Sequence, residues 1–276
     1  MAPPVPDVAK TNPGLSSLNK RILSAVVLAV PVIACVSVGS PLIEGLVVAA
    51  ALVLVWEWCR LCAQTFPSRI YVTLSGVITA AVFAVALDHP FVAILVLVSG
   101  AVVIHLLTGG HVWLSVGALY IGLPCVAVVW LRSDPLVGRE TVFWLLALVW
   151  ASDVGGYVFG RLIGGRKLAP AWSPNKTWAG FFGAAVSAAI VGALTALIIG
   201  SPSFWPLVGL SALLGGAAQG GDLFESWVKR HFGVKDTSGL IPGHGGLLDR
   251  VDGLLAALAL TALIGMVGNG CVLRWI

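Results

Sequence analysis

The sequence predicts an all-α polytopic membrane protein, with about nine transmembrane helices, a cytoplasmic N-terminus and a C-terminus on the opposite side. Three observations carry this. The composition is 58% hydrophobic and only 10% charged, with mean hydropathy +0.99, whereas a soluble domain is about 25% charged. Apolar runs close to the roughly 20 residues that a spanning helix needs recur along most of the chain. The basic residues also fall mainly on one side of the spans so defined, as the positive-inside rule expects.

Residues 1–21 are rich in Pro, Ser and Asn and read as a disordered cytoplasmic tail. No cleavable signal peptide is expected, because the first apolar run begins only at Ile22 and lacks a small-residue cleavage site. Breaks at Pro, Gly and charge clusters give the spans 22–39, 42–59, 70–87, 91–107, 112–131, 141–162, 179–199, 204–221 and 253–273. Residues 22–140 form an N-terminal set of helices. Residues 141–276 are expected to form a C-terminal region that carries the informative polar residues, with two cytoplasmic loops, 163–178 and 222–252. With the N-terminus inside, thirteen of the 16 Lys and Arg residues lie on the inner side; only Arg132, Arg139 and Arg274 lie outside. The net charge of +4 calls for no nucleic-acid partner. Cys59 and Cys62 have the spacing of a zinc half-site, but no second Cys or His pair follows, so the cysteines read as small apolar fillers.

Charge within an apolar span costs about 2.5–3.5 kcal/mol at its centre by insertion scales, so acids there are informative. Glu57, Asp153, Asp222 and Asp249 qualify. Glu57 is one turn from Arg60, and a local ion pair is the simpler reading. Asp153 is either functional or the partner of a buried Arg such as Arg161.

The segment 222–252 differs in kind. Asp222, Ser226 and Lys229 or Arg230 share one helical face. Lys235 and Asp236 precede a Gly/Pro-rich stretch whose backbone N–H groups could line an anion site. Asp249 and Asp252 then open the last span. Hard oxygens from two helix ends suit Mg²⁺, and the neighbouring cations suit phosphate. In the other loop, Ser173-Pro174 reads as an N-cap followed by Pro at the first helical position, with Lys176 and Thr177 in a phosphate-attracting first turn. The glycine spacing is not that of a Walker A loop.

Residues 226–252, S-W-V-K-R-H-F-G-V-K-D-T-S-G-L-I-P-G-H-G-G-L-L-D-R-V-D, resemble the signature of the phosphatidate cytidylyltransferases (CDP-diacylglycerol synthases). S-P-N-K-T-W-A-G at 173–180 and D-V-G-G-Y-V-F-G-R at 153–161 resemble further motifs of that family. Ala179 stands where relatives often carry an acid or amide. The resemblance covers the C-terminal half; the N-terminal half matches only in having several spans.

The resemblance implies the reaction of CTP with phosphatidic acid to give CDP-diacylglycerol and pyrophosphate, with Mg²⁺ required and a second cation left open. It implies Asp222 and Asp249 as metal ligands, and Lys176, Lys229, Arg230 and Arg250 as phosphate partners. Ser173 and Ser226 become hydrogen-bonding groups, and His244 a loop-shaping residue. Asp153, Thr177, Lys235, Asp236, Gly245, Gly246 and Asp252 complete the expected substrate site. The site is expected to face the cytoplasm from a bacterial-type inner membrane, among membrane lipids. A homodimer is compatible with the family, although no span is read as a small-xxx-small seam. Two other classes compete: an ion or proton transporter using the intramembrane acids as a relay, and an alcohol phosphotransferase, whose paired-aspartate pattern is absent.

Overall fold

A computed structural model of the chain describes residues 14–63, 65–241, 245–268 and 270–274, with side chains from residue 26 onward. The order is α1 (Gly14–Val38), α2 (Leu42–Cys62), α3 (Ser68–Ala86), α4 (Pro90–Leu107), α5 (Val112–Arg132) and α6 (Gly138–Leu162). A hairpin of β1 (Lys167–Ala169) and β2 (Ser173–Thr177) follows, then α7 (Trp178–Ile199), α8 (Phe204–His231), α9 (Leu248–Val267) and a short 3₁₀ turn. Among the described residues, the eight helices α2–α9 are long and apolar enough to cross a membrane. All-helical spanning follows from the bilayer itself, where each backbone polar group must be paired within its own segment.

Several boundaries move from those expected, and α9 runs Leu248–Val267 rather than 253–273, so Asp249 and Asp252 lie within its first turns. The helix α1 starts at Gly14, so part of the expected tail is helical. The remainder of that tail lies outside the described residues. Helix α8 continues past Gly221 to His231, so the first third of the 222–252 segment is helix.

Successive helices alternate in direction, as contacts at both ends show. At one end, the close of α2 meets the start of α9 through Glu57 and Leu248. There too the Trp113 ring at the start of α5 lies 5.3 Å from that of Trp227 near the end of α8. At the other end, Arg132 Nε at the close of α5 donates to Val36 O at the close of α1 at 2.6 Å, and Arg274 pairs with Asp134 at 2.8 Å.

Helices α2–α5 pack around Trp58, whose indole Nε1 donates to Trp113 O at 2.8 Å and lies against Gly117. Helices α6, α7 and α8 meet differently. Helix α7 buries Gly180, Ala184, Ala188, Gly192 and Ala196, one residue every four along one stripe. A Cβ at Gly183 would run into Phe159 of α6, and one at Gly192 into Ser211 of α8. Such close backbone approach supplies the van der Waals contact that holds helices together where lipid removes the hydrophobic drive. This is a small-xxx-small seam that the sequence reading missed, and it is used within the protomer.

Candidate active site

The α6–α9 ends on one side enclose a cavity of about 770 Å³. Glycine at 164 and 165, both at positive φ, ends α6 and turns the chain into the hairpin. The hairpin overturns the expected helix start at Ser173. Residues 173–177 pair in antiparallel fashion with Lys167–Ala169, and Thr177, not Ser173, caps α7, its Oγ1 accepting from Gly180 N at 3.1 Å. Pro174 is tolerated because this is a two-stranded sheet with edges on both strands. Lys176 is therefore presented from a strand rather than from a helical first turn. Its Nζ lies 2.6 Å from Asp222 Oδ2 and donates to Gln219 O at 3.3 Å.

Helix α6 contributes Asp153, Gly156, Tyr157, Gly160 and Arg161 to the wall, a single face at i, i+3, i+4, i+7 and i+8. The glycines let α7 approach and leave the long side chains room. Asp153 accepts from Gln219 Nε2 at 3.3 Å, while Arg161 donates to the Tyr157 hydroxyl at 2.7 Å. Of the two alternatives left open for Asp153, the pairing with Arg161 is not formed.

Helix α8 contributes Gln219, Asp222 and Lys229. Ser226 reaches the site only through Asp222, donating to its Oδ1 at 3.3 Å. Lys229 bridges two acids, with Nζ 2.6 Å from Glu225 Oε2 and 2.7 Å from Asp249 Oδ1. Arg230 turns away and donates to Val234 O. Asp249, Arg250 and Asp252 from α9, with Asp236, complete the wall. Asp153, Asp222 and Asp252 lie within electrostatic range of one another.

Among the described residues of the loop before α9, several N–H groups are taken up by the protein's own acceptors. Gly246 N donates to Asp249 Oδ2 at 2.7 Å, and Gly245 N to Ile241 O. Thr237 donates to Asp249 from both N and Oγ1. Leu247 N and Leu248 N donate to Glu57 at 2.9 and 2.7 Å, and Ser238 Oγ donates to Glu57 Oε1 at 2.6 Å. Glu57 is fully buried. The expected Glu57–Arg60 pair is thereby corrected: a desolvated carboxylate gains more from unpaired N–H groups at a helix start than from a flexible cation. Arg60 instead lies over the Trp56 ring, 4.9 Å from its centroid.

Of the expected residues, Asp153, Lys176, Thr177, Asp222, Lys229, Asp236, Asp249, Arg250 and Asp252 line the cavity. Ser173, Ser226, Arg230, Lys235, Gly245 and Gly246 stand outside its lining. His244 lies outside the described residues. Glu57, Tyr157, Arg161, Gln219, Glu225 and Thr237 join the site or its support without having been assigned to it from sequence.

The donor set fits a hard divalent cation. The available atoms are carboxylate oxygens, and Asp252 Oδ1 accepts from its neighbour Gly253 N at 2.7 Å. Among the described residues no three acidic, His or Cys side chains already converge as ligands. A hard divalent cation is held by such carboxylate oxygens together with water and substrate phosphates.

Comparison with known proteins agrees with this chemistry. Residues 19–267 match the cytidylyltransferase family. The chain is 39% identical over 257 residues to a phosphatidate cytidylyltransferase of Brucella suis biovar 1, covering 92% of this chain and 95% of that protein. A phosphatidate cytidylyltransferase of Staphylococcus haemolyticus is 39% identical over 146 residues, 52% of this chain and 55% of that protein. The chain belongs to the cytidylyltransferase family.

Proposed function

We propose that the protein is a phosphatidate cytidylyltransferase of the bacterial inner membrane, forming CDP-diacylglycerol from CTP and phosphatidate with its site open to the cytoplasm. A phosphate oxygen of phosphatidate attacks the α-phosphorus of CTP. The bond from that phosphorus to the bridging oxygen breaks, and pyrophosphate leaves with the electron pair. The nucleophile is already anionic, so the main barrier is charge: two polyanions must approach, and the leaving group gathers negative charge.

The observation that best supports this reading is one cavity that combines paired Lys and Asp side chains with a wall from α6, a helix whose apolar side chains are exposed. A water-soluble nucleotide and a lipid can meet there. Lys176 and Lys229 lean on Asp222 and Asp249 and are the ammonium groups proposed to engage phosphate, with Arg250 beside them. Asp222 and Asp249, with Asp153 and Asp252 near them, would hold Mg²⁺ and leave donor atoms for a second cation. The ion supplies charge neutralisation of the triphosphate and of the departing pyrophosphate. The thirteen-to-three basic bias supports the cytoplasmic orientation.

A proton or ion relay is disfavoured, because Asp153, Asp222, Asp249 and Asp252 gather around one cavity rather than along a path through the bundle. The test is conversion of phosphatidate and labelled CTP by the purified full chain in detergent. CDP-lipid formation that stops on chelation with EDTA is the expected result; a folded sample that forms none with Mg²⁺ overturns the reading.

A further inference from the structure

Resting on the reading above, we propose that Arg161, held by Tyr157 on the exposed face of α6, is the subsite for the phosphomonoester of the lipid substrate. Arg161 sits in the last turn of α6, eight residues or about 12 Å along the axis from Asp153. Asp153, in mid-helix, marks the deep part of the α6 wall; Arg161 lies near the helix end, where a span meets the headgroup layer. Leu162, next in the chain, is 79% exposed and Phe182 of α7 is 60% exposed, and both are large hydrophobic side chains. Acyl chains against that surface would bring their phosphate to the level of Arg161.

The guanidinium is also prepared for an anion. Nη1 donates to the Tyr157 hydroxyl at 2.7 Å, and the group lies 6.0 Å from the centre of the Tyr157 ring. That contact holds the fork at the cavity wall and uses one of its N–H groups, and a guanidinium has five. Lys176 and Lys229 are each paired with carboxylates, whereas Arg161 forms no ion pair among the described residues. Arginine is the residue suited to bidentate capture of a dianionic phosphomonoester, which phosphatidate carries and a phosphodiester lipid does not.

The triphosphate of CTP offers the same chemistry, and the experiment separates the two. Turnover of the full chain is measured in mixed micelles with phosphatidate and CTP varied in turn, for wild type, Arg161→Ala, Arg161→Lys, Tyr157→Phe and the control Arg166→Ala. Arg166 is exposed, carries the same charge and lies outside the cavity lining. Arg161→Ala is expected to raise the KM for phosphatidate roughly 10- to 100-fold, the size of a lost charge-assisted pair, with the KM for CTP unchanged. Arg161→Lys and Tyr157→Phe should fall between, and Arg166→Ala should match wild type. A rise confined to CTP, or no change in either KM, overturns the subsite. Calorimetric binding of dihexanoyl phosphatidate against dihexanoyl phosphatidylcholine, without CTP, is read in parallel. Arg161-dependent phosphatidate binding by a wild type that fails to turn over would keep the subsite and reject the reaction; equal binding of both lipids would reject the subsite itself.

Discussion

Lys176 Nζ lies 2.6 Å from Asp222 Oδ2, joining the β2 strand to the middle of α8 across the cavity. The pair keeps each charge balanced until substrate arrives, and each partner has a proposed separate duty: the carboxylate toward the cation, the ammonium toward phosphate. Asp222→Asn should therefore lower kcat by about 10²–10³-fold, the scale for losing one preorganised charge-stabilising group. Lys176→Met should act mainly on the KM for CTP. Because the two duties differ, the double variant should combine the fall in kcat with the rise in the KM for CTP. Steady-state kinetics on detergent-purified protein decide this; near-normal turnover by Asp222→Asn would remove it from the chemistry.

Lys229 holds two acids that are themselves buried, Glu225 at 1% and Asp249 at 6% side-chain exposure. Its removal leaves both carboxylates without their cation. Lys229→Met should destabilise the fold by about 3–5 kcal/mol, the usual cost of breaking a buried pair from one side. Glu225→Gln added to that variant should recover part of the lost thermal stability, since one uncompensated charge disappears. Turnover should stay low, because the phosphate partner is still missing. Equal stability of the single and double variants would show that Glu225 carries no charge cost there.

Glu57 belongs to α2, yet its carboxylate receives Leu247 N, Leu248 N and Ser238 Oγ, all from the α9 entry. It thereby fixes the loop that also holds Asp249 through Thr237 and Gly246. Glu57→Gln turns one acceptor into a donor facing N–H groups, and should cost about 1–3 kcal/mol as a buried hydrogen bond left unmade. A fall in kcat with little change in the KM for phosphatidate is the expected kinetic result. Arg60→Ala should leave both stability and kcat near wild type, since Arg60 touches Trp56 rather than Glu57. Matching losses in the two variants would restore the local pair as the better account.

The legible part of this protein was the part encoded at short range. Span positions followed from apolar runs, and the grouping of Asp222, Ser226 and Lys229 followed from helical spacing. Glu57 stood out as a charge in an apolar span, but its donors are some 190 residues away, and spacing offered only Arg60. The cap of α7 was misread because Ser173 and Thr177 are both good N-caps; the strand pairing with 167–169 that chooses Thr177 is not a local signal. Tyr157 and Arg161 were quoted within a motif, yet their joint face with Asp153 gains meaning only once α6 is seen to wall the cavity.

Helix α7 was unreadable for another reason: it is apolar all round, so no polar face tells which side is buried. Its small residues tell instead, and they support a last prediction. Gly183 packs against the Cβ and ring of Phe159, so a side chain there must push α6 away from α7. Gly183→Val should cost about 1–3 kcal/mol, as overpacking does. It should also lower turnover, because α6 carries Asp153, Tyr157 and Arg161 into the cavity opposite the α8 residues. Val186, three residues on but 52% exposed, is the control: Val186→Leu should stay within about 0.5 kcal/mol of wild type. Thermal unfolding in detergent, read beside CDP-lipid formation, measures both. If Gly183→Val unfolds and turns over like Val186→Leu, the seam does not set the spacing of the catalytic helices.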